Sequence, residues 1–296
     1  MAVPFAVTVT SMPSKDFVVV RIELSEAERE LLYGYLARLP ISGIEETPEE
    51  VRIYLRQDSW STAEQLLQAL GLSTLRLHGV EHARTQDWYA EWLKQLQPVW
   101  LTPSVVVHPF PTPPSPSEYP GADLIVHIVP GMAFGTGHHA TTRLTAAMLL
   151  KYIGPGQRWL DAGTGTGILA IVAAKAGASE VVAIENNPFA LEQAQENLRL
   201  NAVESTVRLW EADLEELEPR ILGRFEGIVA NLTHNLLIKL RERFTLLLHT
   251  GGLLILSGVL VEQLPELLNR YTEPRRFEVR EVVSEDEWSC AVLQRT

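Results

Sequence analysis

From residue 151 onward, short β-branched and apolar runs alternate with segments whose apolar residues recur every three to four positions. The runs RWLDAG, EVVAIE, TVRLWEA, FEGIVANL and GLLILSG read as strands. Helical patterns follow four of them, at Ile168–Lys175, Pro188–Leu200, His234–Leu248 and Val261–Tyr271, while an acidic connection follows TVRLWEA. Two more strands, around Phe277–Val283 and Trp288–Gln294, close the chain without a helix between them. The alternation predicts an α/β domain with a mostly parallel, seven-stranded sheet covered on both faces. The closing hairpin predicts one antiparallel strand at an edge.

The first part has another rhythm. FVVVRIEL is a strand, and Ser25 with Glu28 forms a capping box ahead of a stripe at Leu31, Leu32, Tyr35, Leu36 and Leu39. ISGIEET and EVRIYLR are strands joined at Thr47-Pro48, STAEQLLQALG is a second helix, and LRLHGVEH is a last strand. Strand, helix, strand, strand, helix, strand is the split βαβ, or ferredoxin-like, order of a small α+β domain. The segment TQDWYAEWLKQLQ then reads as a helical bridge. The expected division is a domain over residues 1–84, a helical linker over 85–100 and a larger domain over 101–296. Prolines at 103, 109, 111, 113, 114, 116 and 120 permit only a short strand at Val105–His108, followed by an exposed loop.

Composition narrows the class. The chain has 296 residues, 46% of them hydrophobic, enough for a core without staples. A single cysteine, Cys290, excludes an intrachain disulfide and a multi-cysteine metal site. There is no basic start leading to a long apolar core, and the longest apolar region is broken by Lys239, Arg241, Glu242 and Arg243. A cytoplasmic protein without membrane association is expected. A net charge of −12 argues against nonspecific nucleic-acid binding and suits a basic protein partner.

Two glycine-rich runs carry the chemistry. In Asp161-Ala-Gly163-Thr-Gly165-Thr-Gly167, the glycines sit where a strand turns into a helix, so backbone can approach a ligand closely. The G-x-G-x-G spacing misses the dinucleotide fingerprint, and no phosphate-loop lysine is present. Glu185 ends the next strand, where a carboxylate can accept both ribose hydroxyls, and Asp213 follows the third, where it can accept from an adenine amino group. Asp161 is awkward near phosphates and comfortable near a cation. An adenosine without phosphate, with an amino-acid end and a positive sulfur, fits: S-adenosylmethionine. Asn231 ends the fourth strand, where a carboxamide can accept from an attacking amine and orient its lone pair. Leu232 and Thr233 follow it, not the Pro-Pro-aromatic slot of nucleobase methyltransferases.

The first run, PGMAFGTGHHATTRL, adds specificity. Together with LDAGTGTGILAI, VAIENNP, ENLRLN and VANL it resembles the ribosomal protein L11 methyltransferases, strongly over about the last two-thirds of the chain. The resemblance implies a Rossmann-like class I methyltransferase domain behind a ferredoxin-like domain that grips the basic ribosomal protein. It also implies methylation of lysine side chains and the N-terminal α-amine, by a protein expected to be monomeric. Cofactor contacts are implied at Thr142, Gly163, Glu185 and Asn231, and Phe134 of the first run is counted with them. Two departures stand out. Val129 occupies the place of an acid before Pro-Gly, and Glu185 replaces the commoner aspartate.

Three alternatives compete with this reading. The substrate could be an amine of a different protein. A nicotinamide-dependent dehydrogenase lacks its fingerprint here. An RNA-binding module would need paired aromatics that FVVVRIEL and EVRIYLR do not carry. His138 and His139 have no third partner at metal-ligand spacing, so no metal is expected. His234, near Asn231, is either an aid to proton removal or simply an exposed histidine at a helix start.

Overall fold

A computed structural model describes residues 96–129, 133–273 and 275–296 in full, and four N-terminal strands by their backbone. The chain divides into two compact units, Met1–Gln95 and Leu96–Thr296. In the first unit β1 (Phe17–Glu23), β2 (Ile41–Glu46), β3 (Val51–Arg56) and β4 (Arg76–Ala83) form one sheet in the order β2-β3-β1-β4. Each pairing is antiparallel, so the two outer strands flank β3 and β1 as in a split βαβ unit. The helices expected between these strands, and the linker helix up to residue 95, lie outside the described residues.

The second unit opens with a small sheet that sequence patterning largely missed. β5 (Val99–Thr102), β6 (Val105–His108) and β7 (Leu124–His127) lie in that order, β5 antiparallel and β7 parallel to β6. Residues 99 and 100 are thus strand, not linker helix. The proline-rich segment is pinned as well as exposed. His108 donates from Nε2 to the Thr112 carbonyl at 2.6 Å, and its Nδ1 meets the buried Tyr119 hydroxyl at 2.7 Å.

Beyond it come β8 (Arg158–Ala162), β9 (Glu180–Glu185), β10 (Val207–Glu211), β11 (Phe225–Asn231), β12 (Leu248–Leu260), β13 (Phe277–Glu285) and β14 (Trp288–Arg295). They form one sheet in the order β10-β9-β8-β11-β12-β14-β13. Pairing is parallel from β10 through β12. The antiparallel strand is β14, and it lies one place in from the edge, between β12 and β13. Burial explains the arrangement. The middle of β14 is fully buried, whereas β13 alternates with exposed residues and can face solvent as the edge.

Helices α1 (Ala140–Tyr152), α2 (Ile168–Lys175), α3 (Pro188–Leu200), α4 (Pro219–Leu222), α5 (His234–Leu247) and α6 (Leu264–Thr272) cover the sheet. Strand alternation sorts the core into two layers. Trp159, Val181, Val229, Ile255 and Val292 pack with α1 and α2, while Leu160, Val182, Ile228, Leu254 and Leu293 pack with α5 and α6. Helix α6 starts later than its apolar pattern suggests, because Pro265 suits the first turn and β12 runs on to Leu260. Strand order reverses between β8 and β11, and open α/β sheets bind ligands beyond the strand ends at such a point.

Candidate active site

Beyond the C-terminal ends of β8, β9, β10 and β11 lies a cavity of about 500 Å³. Seven of the nine expected contact residues line it: Phe134, Thr142, Gly163, Gly165, Glu185, Asp213 and Asn231. Asp161 and Gly167 do not. Gly167 caps α2 in a left-handed conformation, with Ala194 of α3 behind it. Asp161 is fully buried beneath the glycine turn, and its Oδ2 accepts from the Thr164 hydroxyl at 2.6 Å and the Ala170 N–H at 3.1 Å. Burial pushes its carboxyl up to about 7, against the two hydrogen bonds, with the Glu185 charge adding to the rise.

The glycine turn needs its glycines. Gly163 and Gly165 have φ of +77° and +55°, a region that side chains disfavour. A Cβ at Gly163 would strike Leu232, and one at Gly165 would strike the Phe134 carbonyl. The two glycine-rich runs therefore touch each other, backbone to backbone. The Thr166 N–H donates to the Phe134 carbonyl at 3.0 Å, and the Thr166 hydroxyl donates to the Gly135 carbonyl at 2.6 Å.

At the next strand end, Glu185 is tied to the backbone around it. Its Oε2 accepts from the Gly165 N–H, and its Oε1 from the Asn186 and Asn187 N–H groups, all at 3.0 Å. A carboxylate offers about four acceptor positions, so about one remains, on Oε2. That free position is on the oxygen that also accepts the Gly165 N–H. Asp213 is exposed, and its Oδ1 accepts from the Glu215 N–H at 2.7 Å. Ile184, Ala190, Leu214 and Leu236 supply an apolar lining for a flat ring.

Neutral groups make up the opposite end. Asn231 Nδ2 donates to Thr141 Oγ1 at 3.2 Å, and Thr141 Oγ1 lies 2.7 Å from His139 Nδ1. His139 is the N-cap of α1, and its Nδ1 also accepts the Thr141 N–H at 3.3 Å. A nitrogen that accepts from a backbone N–H carries no proton, so the imidazole proton sits on Nε2. The chain of bonds then runs one way, from Asn231 Nδ2 through the Thr141 hydroxyl to His139 Nδ1. It leaves Asn231 Oδ1 as the free acceptor. Burial first, and the Arg143 charge second, hold His139 below the usual imidazole range against the pull of Glu287. Its ring stands between Phe134 and Trp288, with centroids at 5.5 and 4.8 Å. Arg143 fixes this corner, bonding the His138 carbonyl and the Glu285 carboxylate.

Sequence reading missed Trp288 and the Thr141 bridge, because both gain their roles from contacts across distant parts of the chain. His234 is turned elsewhere. It does not line the cavity, and its Nε2 faces Glu266 Oε2 at 3.8 Å. Among the described residues no cluster of three or more potential ligands could hold a metal, and no helix is long and apolar enough to cross a membrane.

The cavity also passes a test of fit for an adenosyl sulfonium ligand. Thr142 is 1% exposed and lines the cavity, and its buried hydroxyl has no hydrogen-bond partner, which suits contact with a polar ligand group. The glycine cradle admits a close backbone approach, and no lysine stands ready for phosphates. With the strand order, these features define a fold and site of the class I S-adenosylmethionine-dependent methyltransferase type.

Comparison with known proteins then gives the family. The chain belongs to the ribosomal protein L11 methyltransferase (PrmA) family, whose model matches residues 20–296. It is 37% identical over 211 residues to the ribosomal protein L11 methyltransferase of Acetivibrio thermocellus, covering 71% of this chain and 64% of that protein. The chain thus spans somewhat less than two-thirds of that relative's length. With the Clostridium perfringens protein of the same name it shares 30% identity over 279 residues, covering 94% of this chain and 83% of the relative. The crystal structure of a ribosomal protein L11 methylase from Lactobacillus delbrueckii subsp. bulgaricus superposes with a TM-score of 0.58 at 27% identity, covering 68% of this chain and 98% of that one.

Proposed function

We propose that the chain transfers methyl groups from S-adenosylmethionine to lysine side chains and the N-terminal α-amine of ribosomal protein L11, as a cytoplasmic monomer. The observation that carries this reading is the neutral Asn231–Thr141–His139 chain at the end of a cavity that also holds the glycine cradle and Glu185. Family membership supports the substrate. In this reading residues 1–84 recognise the basic ribosomal protein, the segment after them links, and the second unit, with β5 onward, carries out the transfer.

Glu185 and Asp213 would hold the adenosine, and Thr142 with the Gly163–Gly165 backbone would hold the amino-acid end. When bound, S-adenosylmethionine supplies an electrophilic methyl group on a cationic sulfur. Asp161 supports the cradle from below through Thr164 and Ala170.

Asn231 orients the nucleophile. Its Oδ1 accepts one N–H of the incoming amine, and the lone pair of a neutral amine is then directed away from that bond. Neutralising a lysine at pH 7 costs about 4.6 kcal/mol from its reference pKa, and an α-amine only about 1. Partial burial at the Phe134–His139–Trp288 wall lowers that cost. His139 takes no proton in this tautomer, because its Nδ1 is committed to Thr141. The amine's proton leaves to water.

Radiolabelled methyl transfer to purified ribosomal proteins tests the proposal. Label is expected on L11. Label only on another protein would keep the transfer chemistry and remove the substrate assignment.

A further inference from the structure

The ENLRLN stretch on α3 has so far no role. Gln193, Asn197 and Asn201 follow one another at intervals of four, so they share one helical face. None of the three amides is spent on solvent. Gln193 Oε1 accepts the Ala133 N–H at 3.1 Å, and its Nε2 donates to the Val129 carbonyl at 3.2 Å. Asn197 is fully buried; its Oδ1 accepts the Val129 N–H at 3.2 Å and its Nδ2 donates to the Thr166 carbonyl at 2.9 Å. Asn201 takes both backbone groups of His127, at 2.9 and 2.6 Å.

The three side chains thus pair with backbone as a neighbouring strand would. Asn197 is the junction. It joins Val129, which leads into the first glycine-rich run, to Thr166, which lies in the second. Thr166 in turn bonds Phe134 and Gly135 of the first run. The N-terminus of α3 starts at Asn187, whose N–H is bonded by Glu185. One helix therefore connects the acid at the adenosine end to both glycine-rich runs.

We infer that Gln193 and Asn197 are positioning residues for cofactor binding: they clamp the two glycine-rich runs at the separation that the cofactor requires. The inference rests on the cavity being the S-adenosylmethionine site. Neither side chain touches the cavity. Their effect should therefore appear in cofactor affinity and not in the transfer step. Val129 enters the clamp through its backbone N–H and carbonyl.

The test uses Gln193→Met, which keeps the volume and removes both bonds at a partly buried position, in the full chain. Two bonds of ordinary strength predict a Kd for S-adenosylmethionine raised about tenfold by calorimetry. KM for the cofactor should rise in step, while kcat at saturating cofactor stays within about twofold, and Gln193→Glu, which keeps the acceptor for Ala133 but sets a carboxylate oxygen against the Val129 carbonyl, should raise Kd at least as far. Asn197→Ala should raise Kd further, but it opens a buried site and can fail to fold, so Gln193→Met decides. An unchanged Kd, or a fall in kcat matching the rise in KM, would overturn the clamp while wild-type binding keeps the site reading. A wild-type chain that binds no S-adenosylmethionine overturns the site reading and the inference with it.

Discussion

At the Glu185 end of the cavity two carboxylates, Glu185 and Asp213, stand beside Asn186 and Asn187; at the Asn231 end the polar groups are a carboxamide, a hydroxyl and an imidazole held neutral, with no carboxylate among them. Under the proposed function, the difference follows from what each end would hold. A ribose hydroxyl is a neutral donor, and a charged acceptor binds it about twice as strongly as a neutral one. An amine that must attack has to give up its proton. A carboxylate beside it would stabilise the ammonium and raise its pKa, binding the substrate in its unreactive form. A carboxamide oxygen accepts an N–H without that penalty.

The largest effect should come from erasing the contrast. Asn231→Asp should lower methyl transfer at pH 7 about tenfold to a thousandfold, since a carboxylate raises an amine's pKa by one to three units. The loss should shrink as pH rises, and a pH profile of the rate checks it. Asn231→Ala should lose about a hundredfold at every pH through misalignment alone. A flat profile for Asn231→Asp would break the comparison.

Next in size is the other end. Glu185→Ala should raise the Kd for S-adenosylmethionine roughly a hundredfold, because it removes a charge-assisted bond and frees the Gly165, Asn186 and Asn187 backbone. Calorimetry measures it directly.

Asp161 sharpens the comparison from below. Its carboxyl lies at about 7 in the folded chain against an ordinary 3.8. Between those values the folded chain holds a proton that the unfolded chain has released. Stability therefore falls as pH rises through that window, by about 4 kcal/mol at most. Asp161→Asn, read by denaturant unfolding at a series of pH values, should lose that part of the slope. The smallest effect is expected at Asp213. It is exposed and half-committed to Glu215, and Asp213→Ala should weaken cofactor binding only about threefold.

Much of this architecture was legible along the chain. The bounds of α2, β6 and β9 follow from short apolar runs, which are buried almost throughout, and those of α3 from its Asn187 cap, Pro188 and one buried stripe. The glycine turn, Glu185 and Asn231 were legible because the fold brings consecutive strand ends to one edge. β5 and β7 were not, being four residues each beside a proline-rich segment. Nor was the inward place of β14, which depends on which strand of the closing hairpin is the more apolar. The Thr141 bridge and Trp288 join groups about 90 and 150 positions apart, and such pairings exist only in three dimensions. Glu185 shows a subtler limit: its position was readable, but the three backbone bonds that consume its acceptors were not.

The most direct measurement is the intact mass of purified ribosomal protein L11 after incubation with S-adenosylmethionine and the full chain, run beside the Asn231→Asp variant. The account predicts L11 heavier by whole methyl groups with the wild-type chain and nearly unmodified at pH 7 with the variant. Unchanged L11 with the wild-type chain, or equal modification by both, would contradict it.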